Sequence, residues 1–413
     1  MMVLSACFFI IALMLGVKKP THFVLFYILA STKFLGFIDP SSFIIGGVEV
    51  GYFGLNLIAL IALLFKRDWY VIPKKMLLFV SVIIGTLIYG IVKPVIDSNS
   101  SVYLSFMASK ETWFYFIFFY MMVQKNNIDN RKLIEAIKKI GIYLSIVYCA
   151  GRILPQIVPP LYDQGTYVRT FFPTYISLAL FIYAVNIKFM DVKKNKYYAI
   201  VGLLFLGLFF AAHLSLTLTT LAGFILYVYV FDKNLRIHKY TAGRFAAMAF
   251  IGLTMVLLSV RGLYENVAST VEGIITGEDN ALSSRDVYNE FRWEAINKQK
   301  ELGYGYIHQS SHFMKGINTI SSNRFMERFT VIDSGYVDML IKYGFIGTTI
   351  LMLALVWYYA KGFLKKYKNP LATAMSIYLL QYVFINYTWS VFTFAHGIVP
   401  GTVAFHFLLT SQE

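Results

Sequence analysis

Cysteine is nearly absent: Cys7 and Cys149 are the only two in 413 residues, and each lies inside an apolar run. That excludes a disulfide framework and any Cys/His zinc spacing. Charge is scarce as well, at 14% of residues against roughly a quarter in soluble domains, while 58% of the chain is hydrophobic. Such a balance excludes a water-soluble enzyme. Acids are fewer than bases, 22 against 37, for a net charge of +15. A nucleic-acid binder needs a basic face on a chain that lives in water, so this charge has another origin. The sequence contains no GxSxG elbow, no Walker loop and no DxD-like motif, which leaves a serine hydrolase or a nucleotide-sugar donor without support. No internal repeat or low-complexity tract is present either.

What the chain has is continuous apolar sequence. Apolar runs without alternation predict helices, because lipid offers no water to backbone groups and only helices or closed barrels cross it. The expected spans are residues 2–17, 22–38, 42–65, 76–94, 111–124, 140–153, 173–187, 197–213, 217–231, 245–260, 335–360, 371–388 and 391–410. The first lacks a basic leader and a small-residue cleavage site, so it reads as an uncleaved span. The expected class is therefore all-α: a single polytopic membrane domain over residues 1–413, with about 12 to 13 transmembrane helices.

Lysine and arginine recur in every second loop, at Lys18 and Lys19, Lys66 to Lys75, Lys125 to Lys139, Lys188 to Lys196, Lys233 to Arg244 and Lys361 to Lys368. Those loops are expected on the cytoplasmic side. The basic excess thus sets topology rather than partner. Residues 38–41, 95–110, 154–172, 214–216, 261–334 and 389–390 then lie outside, as does the N-terminus if the spans number thirteen.

The outer segment 261–334 is longer than a connection needs. Within it Ser284 to Leu302 predicts a helix, with a serine cap, Asp286 early, Lys298 and Lys300 late, and Gly303 and Gly305 as the stop. Val287, Phe291 and Ala295 form its apolar stripe. Arg285 and Arg292 are two turns apart on one face, roughly 10 Å at 1.5 Å per residue. Arg152 and Arg169 flank the proline-rich loop 154–172. Such an array suits an extended anion, since guanidinium groups match phosphate oxygens as permanent forks of donors, although membrane-edge arginines also snorkel.

Asp333, at the entry to the span near Ser334, reads as a general base or as a helix cap. Asp338 and Lys342, at i and i+4, are expected to pair with each other. Glu49 and Lys93 lie in spans and form either a buried pair or part of a polar cavity. His308 and His312 share the i, i+4 spacing, but HQSSH has no HExxH glutamate and follows a glycine pair, so two exposed loop histidines are expected instead of a zinc site. No metal or cofactor is expected. His213, His396 and His406 read as hydrogen-bonded bundle histidines, while Tyr304, Tyr306, Tyr336 and Trp293 either stack on sugar faces or belong to the interfacial aromatic belt.

The stretch from Arg285 to Gly347 resembles the O-antigen ligase and polymerase superfamily. The pattern there is an arginine, a short helix, a G-x-G pair, a variable loop and a polar residue opening a span of the form x-Y-x-x-L-x-x-x-G-x-x-G. This chain has Arg285, Gly303-Tyr304-Gly305, Asp333-Ser334-Gly335-Tyr336 and Tyr343-Gly344-Phe345-Ile346-Gly347. Tyr167 to Pro173, with Arg169, resembles the other external arginine element. Where ligases usually carry a histidine followed by asparagine, Asp333 precedes Ser334, a departure that favours a Wzy-type polymerase.

The resemblance implies a GT-C-like glycosyltransferase in the bacterial cytoplasmic membrane, working at the outer face without metal or cofactor. Its donor and acceptor would both be undecaprenyl-pyrophosphate-linked oligosaccharides, with membrane lipid, a chain-length regulator and a flippase as partners and no nucleic acid. Asp333, Arg285 and Arg169 would be catalytic, with Arg152, Arg292, Tyr306, His308, His312 and Tyr336 binding substrate. An O-antigen ligase acting on lipid A core is the nearest enzymatic alternative. A lipid-linked oligosaccharide flippase is a different class, kept open by Glu49 and Lys93; a scaffold protein would not need external arginines.

Overall fold

The computed structural model describes residues 2–31, 44–45, 48–65, 76–153, 162–163, 168–169, 173–186, 194–211, 213–235, 292–308, 334–364 and 369–411. The described part is all-helical, with fourteen α-helices and two antiparallel ladders of two residues per strand. Helices α1 (Met2–Lys18) and α2 (Pro20–Ser31) form a hairpin that packs on α3 (Val50–Phe65) and α6 (Phe116–Val123). Between α2 and α3, β1 (Ile44–Ile45) pairs with β2 (Val48–Glu49). The helix expected from residue 42 thus begins only at Val50. Glu49 sits in the ladder, so it is not a span residue.

Helix α4 (Leu77–Ser98) runs four residues past its expected end and carries Pro94 inside; α5 (Val102–Ala108) follows where an open loop was expected. Ser101 explains the restart, its hydroxyl accepting from the Leu104 amide at 3.1 Å. Lys93 pairs with Asp97 at 2.6 Å, one turn on; the side chain of Glu49 lies outside the described residues. A 3₁₀ turn, Thr112–Tyr115, leads into α6.

Helix α7 (Asn130–Ile153) starts ten residues before the expected span, because the basic stretch 131–139 is helical and capped by Asp129, whose carboxylate accepts from the Lys132 amide at 3.1 Å. After β3 (Tyr162–Asp163) and β4 (Val168–Arg169), helices α8 (Thr174–Asn186), α9 (Lys194–Phe210) and α10 (Leu214–Leu235) complete the middle of the chain. Small residues let α7, α8 and α9 approach closely: a Cβ at Gly141 would lie 2.4 Å from the Ala179 Cβ, and one at Gly207 would lie 2.4 Å from the Ser145 hydroxyl. The expected span 245–260 lies outside the described residues.

Of the helix expected over 284–302, residues 292–298 form α11 and turns continue to Leu302, with Ala295 packed on the core; the start of that helix lies outside the described residues. Helices α12 (Gly335–Tyr359), α13 (Pro370–Ile385) and α14 (Ala395–Thr410) close the chain. The connection 386–394 is irregular and turns inward, with Val391, Phe392 and Thr393 buried.

The core is rich in tyrosine, with Tyr27, Tyr120, Tyr175, Tyr378 and Tyr382 among its fully buried side chains. Tyr27 donates to Asn56, Tyr120 donates to the Gly16 carbonyl at 2.6 Å, and the Tyr378 and Tyr382 hydroxyls are 2.6 Å apart. Large apolar side chains also face outward, including Ile96, Leu353 and Trp357. Among the described residues, Leu77–Asp97 and Gly335–Phe363 are long and apolar enough to cross a membrane, and nine further apolar helices are shorter.

Candidate functional site

Two helices here leave backbone groups without helical partners. Proline has no N–H, so Pro94 cannot donate to the Gly90 carbonyl four residues back. Gly344 breaks α12 at φ 61°, ψ −170°, a region that side-chain-bearing residues avoid, which separates the carbonyls of Ile341 and Lys342 from the amides of Phe345 and Ile346.

The strap 300–306 replaces all of these bonds. Tyr304 N donates to Ile341 O at 2.7 Å and Gly305 N to Lys342 O at 2.8 Å. Phe345 N donates to Lys300 O at 3.0 Å and Ile346 N to Glu301 O at 3.2 Å. Tyr306 N reaches Gly90 O at 2.6 Å, and the Tyr89 hydroxyl donates to Leu302 O at 2.5 Å. Three glycines permit the approach. Gly303 and Gly305 have φ of +66° and +75°, and a Cβ on Gly344 would lie 2.3 Å from Glu301 O. The G-x-G pair and the Y-G-x-x-G sequence are therefore the two halves of one lock.

Tyr306 is carried by the strap into the core, 1% exposed, and its hydroxyl lies 2.9 Å from the Thr112 hydroxyl and 2.7 Å from that of Tyr343. Its ring fits because residue 90 is glycine, where a Cβ would lie 2.4 Å from the Tyr306 ring. A sugar-stacking face for Tyr306 is thereby excluded. Tyr304 is likewise buried, donating to Ala295 O at 2.8 Å. Tyr336 is half-buried and donates to Val383 O at 2.6 Å.

Beside the lock, Lys342 donates to Asp338 at 2.7 Å, the expected i, i+4 pair. The ammonium also lies 5.8 Å from the Tyr306 ring centroid and 5.5 Å from that of Phe394. From Phe394 a row of near-parallel rings continues through His396, Trp389 and His213, with centroid separations of 5.7, 4.1 and 4.3 Å. Glu111 accepts from the Ala395 amide at 2.9 Å, and Thr174 donates to His396 O at 2.7 Å. Segments expected outside the membrane, 95–110, 214–216, 261–334 and 389–390, thus contribute to or border one junction.

At the opposite ends of the helices, Asn130 meets His406 at 2.9 Å and Thr410 at 3.0 Å, and Asn369 donates to Ser411 O at 2.7 Å. His406 is the hydrogen-bonded bundle histidine that the sequence suggested. These ends belong to segments expected to be cytoplasmic.

Arg292 is buried at the start of α11, 7% exposed. His308 is partly buried, and burial together with nearby Lys110 lowers its pKa, so the neutral ring is favoured. The sequence led to the expectation of an exposed loop histidine, and His308 is more covered than that. Arg169 stands in β4 opposite Tyr162, and Arg152 lies in the last turn of α7; their side chains, and all of Asp333, Arg285 and His312, lie outside the described residues. Sequence reasoning missed Gly90, Glu111, Thr112, Asn386 and Phe394. Only Glu111, an acid beside an apolar run, and Pro94, which frees the Gly90 carbonyl, carried a readable signal.

Among the described residues no group of three or more His, Cys, Asp or Glu is placed to hold a metal ion. No protein-family model matches the chain, and no curated protein does.

Proposed function

We propose that the chain is a polytopic bacterial membrane glycosyltransferase of the surface-polysaccharide polymerase type. The observation that carries the reading is the lock. Two loose glycine motifs that resemble those of the O-antigen ligase and polymerase superfamily are physically complementary across some forty residues of sequence, so their co-occurrence has a structural reason. The meeting of the outer segments at one end and the basic ones at the other also supports a multi-pass topology with the site facing outward.

In this reading the growing glycan is attached through its anomeric carbon to undecaprenyl pyrophosphate. A hydroxyl of a second lipid-linked unit attacks that carbon, the carbon–oxygen bond to pyrophosphate breaks, and the hydroxyl proton passes to Asp333. The product has inverted configuration, and the lipid pyrophosphate leaves. The guanidinium groups of Arg169 and Arg285 stabilise the departing charge without a metal, while Arg152 and Arg292 steer the donor or hold the second carrier.

Deletion and point variants test this directly. A surface glycan reduced to a single repeat on deletion supports a polymerase; uncapped core identifies a ligase, and intracellular lipid-linked repeat identifies a flippase. Asp333→Asn and Arg285→Ala are expected to abolish the chain-length ladder, and normal ladders from both would refute the assignment.

A further inference from the structure

We infer that α12 has two pairing states, one with the strap inserted and one with the helix continuous, so that the lock is a switch between them. The second state does not depend on the reaction proposed above.

The strap occupies the very groups that a straight helix would pair. In an α-helix the amide of residue i donates to the carbonyl of residue i−4, so Phe345 N belongs to Ile341 O and Ile346 N to Lys342 O. Here Tyr304 N and Gly305 N take the two carbonyls, at 2.7 and 2.8 Å, while Lys300 O and Glu301 O take the two amides, at 3.0 and 3.2 Å. Withdrawal of the strap therefore leaves two amides and two carbonyls that complete each other. No proline lies in α12 to prevent it. Helix α4 has no such option, because the Gly90 carbonyl faces Pro94 and has no helical amide to return to. Exchange of partners is thus open to α12 and closed to α4.

The two states differ little in bond count. Opening gives up four strap bonds and regains two helical ones, and Gly344 leaves φ 61°, ψ −170° for ordinary helical angles. Lys300 and Glu301 are already exposed, so their freed carbonyls do not become buried. An element with two discrete pairings is one that a ligand can bias toward either state.

Straightening realigns residues 335–343 against the rest of α12. That half carries Asp338 and Lys342, and its Tyr336 amide donates to Asn386 O at 3.2 Å. The switch therefore moves one wall of the junction.

Single-residue hydrogen exchange on the full chain in lipid nanodiscs tests this. Gly344→Ala and Gly303→Ala each push the strap out, the second because a Cβ at Gly303 would lie 2.5 Å from Gly344 N. In both variants the Tyr304 and Gly305 amides are expected to exchange at least about fivefold faster than in the parent. Phe345 and Ile346 are expected to remain at least about tenfold slower than those two, after correction for intrinsic rates, because the helix takes them back. Gly344→Pro also expels the strap but cannot rebuild the helix, so its Phe345 and Ile346 amides are expected to exchange at least about tenfold faster than those of Gly344→Ala. That comparison separates re-pairing from shielding by lipid. If the proline variant does not fold, Gly303→Ala decides alone, since its α12 is unaltered. Four amides exchanging together in the alanine variants overturn the switch, as does a strap that stays closed in both. Equal protection of Phe345 and Ile346 in Gly344→Ala and Gly344→Pro overturns it too.

Discussion

Replacing Gly344 by alanine tests whether the strap and the helix break depend on each other. The new Cβ would lie 2.3 Å from Glu301 O and 2.6 Å from Gly303 N, both backbone atoms that cannot swing aside. It would also hold a φ, ψ of 61°, −170°, at a cost of about 1 to 3 kcal/mol. Relief requires the strap to leave, with loss of the four bonds from Tyr304, Gly305, Phe345 and Ile346 at roughly 0.5 to 1.5 kcal/mol each. Those bonds are lost on opening in the parent as well, so the added strain alone sets the change: about 1 to 3 kcal/mol raises strap opening at least about fivefold.

Hydrogen exchange at the amides of Tyr304, Gly305 and Tyr306 reads this, as does tryptic cleavage after Lys300. Gly85→Ala is the control, because a Cβ there meets nothing within 4 Å; it removes a helical glycine, which stabilises by up to about 1 kcal/mol. If strap amides in Gly344→Ala exchange as slowly as in Gly85→Ala, the lock is wrong.

Three other outcomes are expected. Tyr306→Phe strands the Thr112 and Tyr343 hydroxyls and costs about 1 to 3 kcal/mol, while Y306F/Y343F costs less than the sum of the single variants; thermal melts of the four forms check this. Bonds from the Lys132 amide and side chain lower the Asp129 pKa, so its stabilising contribution is full above the usual carboxylate range and lost as pH falls through the folded value. Asp129→Asn should therefore be less stable than the parent at neutral pH and converge with it in acid, as read by melting temperature against pH. Lys110→Ala removes one of the two influences holding His308 neutral, so NMR titration should show its pKa rise toward the usual histidine value; an unchanged midpoint would refute the contact.

Apolar runs showed where helices lie, because burial and lipid both reward continuous hydrophobic sequence, and α8, α12 and α13 begin within a residue of expectation. Helix ends were less legible. The basic start of α7 reads as a loop by polarity, whereas Asp129 capping and a solvated face make it helical. The i, i+4 pairing of Asp338 with Lys342 was local and therefore readable. The pairing of Lys93 with Asp97 was equally local, one turn away, but attention to the distant Glu49 passed over it. Nor could periodicity show that Tyr306 turns inward. That depends on Gly90 and Pro94, more than two hundred residues earlier, and the sequence of the strap carries no trace of them.

Helices α13 and α14 have 16 residues each, about 24 Å at 1.5 Å per residue, against a hydrocarbon layer of about 30 Å. In the proposed topology this hydrophobic mismatch makes the protein thin the bilayer around its C-terminal pair. Phe384 and Tyr387, 70% and 73% exposed near the end of α13, are suited to the interface level that results.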